Sequence, residues 1–327
     1  MLERLREPWS DQRAERTLGA LASVLLLLIV LMIVFVAVRA WPSFQHNGLS
    51  WFTGKGDVDV QIGNQVNTGA RPTSADYQLG AWPLIWGTML TTGLAVLIGL
   101  TFAVLASIFI VEFAPGRLRR VIVPVVRLLA AVPSVIFGLI GILVLAPIIN
   151  DHLVSEARKK SVQYVINLSG TGLLVAVVIL TVMITPIMVA IIVDALRAVP
   201  RSWTEGAAAL GANRWRVMWS ISVRAARPAV IAAAVLATAR ALGEAIMLSM
   251  VSGSVGFAPN PLDGLTFFVE PTRPLAATIV DGAGGLSVTP YGQTLYAFAA
   301  VLLVSAMFLS LAGWAAKQPL KKYGAGV

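Results

Sequence analysis

Apolar residues fall in six long runs along the chain, and polar residues are gathered in the stretches between them. The runs cover roughly residues 18–38, 84–111, 121–149, 170–193, 229–251 and 294–316. Each is long enough to cross a hydrocarbon layer of about 30 Å, which takes about 20 helical residues. Inside lipid the backbone must satisfy its own polar groups, so all six read as transmembrane helices. The first run is too long for a signal-peptide core, and Arg39-Ala40-Trp41-Pro42 follows it in place of a small-residue cleavage site. Residues 1–17 are charged and read either as a short interfacial helix broken near Pro8 or as a solvated tail.

Composition strengthens this reading. Of the 327 residues 57% are hydrophobic and 13% charged, with a mean hydropathy of +0.81. A soluble domain carries about 25% charged residues, so the chain is expected to be an all-α polytopic membrane protein. It has no cysteine and two histidines, His46 and His152, which excludes disulfides and thiolate metal sites and disfavours a histidine-built centre. The net charge of +9 reflects topology rather than nucleic-acid binding. With the N-terminus in the cytoplasm, sixteen Lys and Arg residues fall inside and seven outside, while Arg127 and Arg240 lie within the spans. Both termini are therefore expected inside, with residues 317–327 as a cytoplasmic tail. Arg158-Lys159-Lys160 dissents from that bias.

Two outer loops are long. Residues 40–82 read as an irregular polar loop, in which Asp57 and Asp59 are expected to be solvated rather than metal ligands. Residues 253–292 are rich in glycine and proline and contain an apolar "LTFFV" patch suited to a short surface helix. Trp41, Trp51, Trp82 and Trp86 flank the outer ends of spans, where an interfacial aromatic belt is expected.

The inner loop 194–228 breaks the hydropathy pattern most sharply. Ser202-Trp203-Thr204-Glu205 has the S-x-x-E spacing of a capping box, which predicts a helix start. Gly206, Ala207, Ala208 and Ala209 keep that helix slim, and Gly211 can end it in a left-handed conformation. Residues 214–222 predict a second helix, with Trp215, Met218 and Trp219 on one apolar face.

The fifth run holds the chain's most unexpected charges, in "ARALGEA". A central arginine costs about 2.5–3.5 kcal/mol on insertion scales, so it is not expected to face lipid. Arg240 and Glu244 are i, i+4, so a continuous helix would place them on one face, able to pair. A guanidinium matches the oxygens of phosphate and stays charged at any working pH. Arg240 is thus expected to line an anion pathway, with Glu244 neutralising it when the site is empty. Arg127, shallow in the third run, is a weaker pathway candidate and can snorkel to the interface. Pro133 is expected to kink the third run, and Gly138 and Gly141 to allow close packing.

The inner loop resembles that of permeases in ATP-binding-cassette importers, which carry E-A-A-x-x-x-G, then nine intervening residues, then I-x-L-P. Glu205, Ala207, Gly211 and Ile221 match; Gly206, Val223 and Arg224 depart from the pattern. The resemblance implies that residues 202–212, among them Ser202, Glu205, Gly206, Ala207 and Gly211, form a coupling helix that docks on an ATPase subunit. "GTMLTTGLAVLIGLTFAVLASIFIVEFAP", "LLAAVPSVIFGLIG" and "ATARALGEAI" are similar to the phosphate-specific transport permeases, over roughly residues 15–320. The long first outer loop favours the C-type subunit. Arg127 stands where that family often has an acidic residue.

The resemblance implies a type I importer permease (MetI-like) fold of six transmembrane helices spanning 18–316 in a bacterial inner membrane. It also implies a homologous A-type permease, a dimer of ATPase subunits, an extracytoplasmic phosphate-binding protein and inorganic phosphate as partners. No G-x-x-x-x-G-K-[ST] occurs, so ATP and magnesium are expected on the partner ATPase and no cofactor in this chain. A permease for sulfate or molybdate remains the alternative within transport. A secondary transporter working alone and a non-transporting scaffold are the alternatives outside it.

Overall fold

The computed structural model describes residues 8–54, 56–69, 71–162 and 168–318. Helices dominate the described residues, and the single strand-like pairing among them is an isolated bridge between Gly253 and Thr272. Twelve helices position the features that matter here: α1 (Pro8–Asn47), α2 (Val58–Val66), α3 (Trp82–Ile108), α4 (Gly116–Ala130), α5 (Ser134–Ile140), α6 (Ala146–His152), α7 (Leu173–Arg197), α8 (Arg201–Ala209), α9 (Arg227–Leu242), α10 (Ile246–Val251), α11 (Leu275–Asp281) and α12 (Tyr291–Lys317). Five stretches of the described residues are long and apolar enough to cross a bilayer. A bent pair, residues 214–225 with 227–242 at 64°, brings the number to six.

The packing explains which runs are most apolar. α3 and α7 form the central pair, and α9 lies against both. Leu180, Met183, Ile184, Met188 and Ile192 of α7 are all but fully buried there. α1 is peripheral: it leans on α12, with Phe35 edge-on to Tyr296 at 5.6 Å, and leaves most of its large side chains exposed. Such a helix is suited to face lipid. It is helical from the first described residue, Pro8, onward; residues 1–7 lie outside the described residues.

Two expected spans are not continuous helices. The third run divides at Ala131-Val132-Pro133. Its first part, α4, buries no residue fully and carries Arg117, Arg120 and Arg127 at helical spacing on one side. It is an amphipathic helix, and only 134–152 qualifies as a span. Pro133 thus separates two helices rather than kinking one: it lacks an N–H and disfavours helical geometry in the residue before it. Gly138 and Gly141 do allow close packing. A Cβ on Gly138 would lie 3.3 Å from Met247 Cα of α10, and one on Gly141 would lie 2.6 Å from Val251 Cγ1.

Among its described residues, the loop 40–82 is largely helical rather than irregular. α1 runs on to Asn47, Ser50–Thr53 is helical, and Asp57 caps α2 by accepting from the N–H groups of Asp59 and Val60 at 3.0 and 3.1 Å. Trp51 is fully buried beneath this cap, its Nε1 donating to Ser43 Oγ at 3.2 Å, so it is core and not belt. Nor is Asp59 simply solvated. It pairs with Arg273 at 2.9 Å and accepts from Gly256 N–H at 2.8 Å, and Arg273 also reaches Asp281 at 3.5 Å. These contacts latch the two outer loops together. The "LTFFV" patch forms the short helix Thr266–Val269, and Phe267 packs against Leu173 and Val177 of α7.

Glu270, in the outer segment, is 3% exposed and accepts from Asn260 N–H at 3.1 Å. Burial raises its carboxyl above the ordinary range, the Asn260 bond opposes this, and nearby Asp263 adds to the rise. The folded state therefore keeps a proton that the unfolded chain has released, and stability falls as pH climbs through that interval. Glu270→Gln removes this loss. It is expected to unfold at a higher temperature than the wild type at about pH 7 and to match it at about pH 4, below the ordinary Glu value. Thermal unfolding at the two pH values checks it.

Candidate functional site

The site begins where the fifth run breaks. α9 ends at Leu242, and Gly243 and Glu244 donate backward to Ala239 and Ala241 carbonyls at 3.2 and 3.3 Å, tightening the last turn. Glycine is a poor helix former, and here it sits where the ladder stops. The chain re-enters a helix at Ile246. A helix interrupted within a span is tolerated where the freed backbone is buried in protein or lines a polar cavity.

The break alters the expected pairing. The i, i+4 argument requires one continuous helix, and Arg240 and Glu244 lie on opposite sides of its end. The ion pairs among the described residues do not include Arg240 with Glu244. Arg240 is exposed on α9 and has no hydrogen-bond or ion-pair partner among the described residues, while Glu244 is 8% exposed. Ala233, Ala237 and Ala241 are fully buried, so the small residues near Arg240 serve close helix packing. From Pro228, Arg240 lies about 18 Å along the helix axis at 1.5 Å per residue. A guanidinium without a partner among the described residues is thus held in the last turn of α9, off the packed face of that helix. Between α6 and α10, a cavity of about 550 Å³ has a polar wall that includes Asn150, Asp151, Ser169, Thr171, Ser249 and Ser254; the Asp151 carboxylate accepts from Asn150, and the hydroxyls of Ser249 and Ser254 donate to backbone carbonyls.

Arg127 has a different environment. It lies in the last turn of amphipathic α4, outside the span, and its Nη2 donates to both carboxylate oxygens of Asp194 on α7, at 3.0 and 3.1 Å. Both side chains are 57% exposed, so the pair is a surface brace worth about 0.2–1 kcal/mol. Asp194 was detectable in the sequence as the acidic residue that ends the fourth run, but nothing in the spacing ties it to Arg127.

The inner loop folds as a helical hairpin. α8 begins two residues earlier than the capping box requires: Pro200 occupies the cap position, Ser202 falls inside the first turn, and no side chain caps the helix. Proline fixes its own φ, here −59°, and so sets the entry into the helix without the serine. The helix end is as expected. Gly211 has φ +80°, its N–H donates to Ala208 at 2.9 Å, and Ala212 donates to Ala207 at 3.2 Å. That double bond is the Schellman arrangement. Glu205 and Gly206 are exposed, Ala207 is half-buried, and a Cβ on Gly206 would meet nothing within 4 Å.

The following helix starts at Arg214, capped by Asn213, and passes through a π-helical turn at Met218–Ser222. Trp215 and Trp219 contact each other at 5.8 Å and stay exposed, but Met218 turns into the core. Their common apolar face is therefore reduced to the two indoles. The sequence reading missed Leu210, which is 91% exposed beside Gly211. Its signal was a lone large apolar residue at the end of an alanine run. Leu210 and the two indoles are thus exposed large apolar side chains close in sequence to α8, and tryptophan is enriched among the residues that anchor protein interfaces.

Residues 95–317 match the family of binding-protein-dependent transport system inner membrane components. The chain belongs to that family, a class of multi-pass permeases. It is 33% identical over 308 residues to the probable ABC transporter permease protein YqgH of Bacillus subtilis (strain 168), covering 92% of this chain and 89% of that one. It is 34% identical over 266 residues to the phosphate transport system permease protein PstC 1 of Mycobacterium tuberculosis, covering 78% of each. Among solved structures, a bacterial alginate ABC transporter in complex with a pentasaccharide-bound periplasmic protein aligns with a TM-score of 0.57 at 15% identity, over 97% of this chain and 99% of that one. The fold is the all-α importer permease fold that the inner-loop motif led us to expect.

Proposed function

We infer that this chain is a permease subunit of an ATP-driven phosphate importer in a bacterial inner membrane. The observation that carries the reading is the guanidinium of Arg240, without a partner among the described residues and next to the helix break at Gly243, in a chain similar along most of its length to a phosphate permease. Arg240 meets the anion in transit. The chain supplies half of the pathway, and a homologous permease supplies the other half. Both termini face the cytoplasm, so α8 projects there and docks on one of two ATPase subunits, which hold ATP and magnesium. A binding protein delivers phosphate to the outer face.

The test is co-expression with those partners, followed by uptake and ATPase assays in proteoliposomes with the phosphate-loaded binding protein. Phosphate-dependent uptake is the expected result, and uptake of sulfate in its place, or uptake without ATP, would refute the reading. The same preparation tests the docking surface. Gly206→Phe places a ring in open space, so the permease itself is expected to fold normally. Co-purification of the ATPase is expected to fall by roughly tenfold or more, the size of a modest interface clash. Undiminished recovery would show that this face of α8 is free in the complex.

A further inference from the structure

The cytoplasmic end of α3 passes into a π-helical turn at Phe109–Phe113. There Ala114 N–H bonds to Phe109 O, and the carbonyls of Ile110, Val111 and Glu112 come at the end of the ladder. Carbonyls at a helix end need donors from elsewhere and carry the negative end of the helix dipole. Two arginines meet that need. Arg119, in α4, donates from Nε to Ile110 O at 2.8 Å and from Nη2 to Val111 O and, at 3.4 Å, to Ala114 O.

Arg214 comes from 102 residues away, at the turn that follows α8. Its Nη2 donates to Glu112 O, its Nε lies 4.0 Å from Glu112 Oε2, and its guanidinium sits 5.2 Å from the centre of the Phe113 ring. One side chain, 66% exposed, thus donates to a carbonyl and lies near a carboxylate and an aromatic face of the same turn. Lysine could not reproduce this, because it lacks the planar fork. Between Arg214 and α8 lie the Schellman turn at Gly211 and the Asn213 cap, so the link from α8 to Arg214 is short and structured.

We propose that Arg214 is a strut that carries movement of α8 to the inner end of α3, and that it stays closed through the transport cycle. This rests on the reading of α8 as the docking helix. α8 is also joined to α7 by the chain itself, through Ala198-Val199-Pro200. The strut adds the other member of the central pair, so that α3 and α7 move together. Arg214 is a positioning residue and does not touch the transported anion.

The test is the number of phosphate ions imported per ATP hydrolysed by the assembled complex in proteoliposomes. Arg214→Met is expected to leave assembly and hydrolysis in place and to lower that ratio by about fivefold or more, within the usual range of coupling between sites. Arg214→Lys is expected to recover part of it. A wild-type ratio in both variants would overturn the proposal. The chain has no cysteine of its own, so the pair Glu112→Cys and Arg214→Cys, in a complex whose other subunits are made cysteine-free, can be bridged with a short bis-maleimide. Bridging is expected to restore the ratio lost in the unbridged pair, while a bridge that leaves it low or stops uptake overturns the closed strut. A wild-type complex without phosphate uptake would instead refute the importer reading.

Discussion

Arg240→Gln is expected to reduce phosphate uptake by roughly 10- to 100-fold while the assembled complex still hydrolyses ATP. The magnitude follows from the bond removed. A hydrogen bond to a charged group is worth about 1.5–3 kcal/mol, and each 1.4 kcal/mol is about a factor of ten. Glutamine keeps two amide donors and most of the length but has neither the charge nor the fork. Arg240 has no partner among the described residues, so its loss leaves no internal ion pair broken and the fold is expected to be unaffected. Arg240→Lys separates charge from geometry and should retain part of the uptake. Radiolabelled phosphate uptake beside ATPase measurement decides the matter, and near-normal uptake by Arg240→Gln would remove the residue from the pathway.

Gly170→Ala is expected to have the largest effect on stability. Gly170 has φ +86°, where an L side chain is strained, and its Cβ would overlap the Ala146 carbonyl oxygen and lie 2.8 Å from Asn150 Cβ. The conformational part alone is about 1–2 kcal/mol. The overlap is with backbone, so relief requires α6 to shift from the segment that leads into α7, and the total should exceed about 3 kcal/mol. Gly206→Ala is the matched control, because its added methyl meets nothing. The yield and thermal unfolding of the detergent-solubilised protein measure both. Equal stability of the two variants would show that the 168–172 segment adjusts freely.

The six apolar runs were legible because lipid demands a composition that no soluble helix shares. The left-handed stop at Gly211 was legible because one residue type serves that geometry best. Three features were not. The division at 131–133 was hidden because α4 is apolar on one side only, and a linear hydropathy reading merges that side with the span that follows. The break after Leu242 was hidden because Gly243 is common in transmembrane helices, so its presence alone does not end one. The expected Arg240–Glu244 pair failed with it, since i, i+4 spacing carries meaning only on an unbroken helix.

Residues that meet across long sequence separations were beyond reach in principle. Asp194 with Arg127, Asp59 with Arg273 and Glu112 with Arg214 lie 67, 214 and 102 residues apart. Each pair is set by the tertiary packing of separate helices. The single sequence shows the charges without showing which of them meet. Trp51 failed for the related reason that an indole near a span's end suits an interface and a small buried cap equally well.

The interruption at Gly243-Glu244-Ala245 divides one membrane crossing between two neighbourhoods. The first arm, α9, is seated on α3, α7 and α12; the second arm, α10, is seated mainly on α5 and α11. A continuous rod would oblige both ends to tilt as one. Two arms joined by three non-helical residues need not, so α10 can tilt against α5 and α11 while Arg240, in the last turn of α9, stays registered against the central helices.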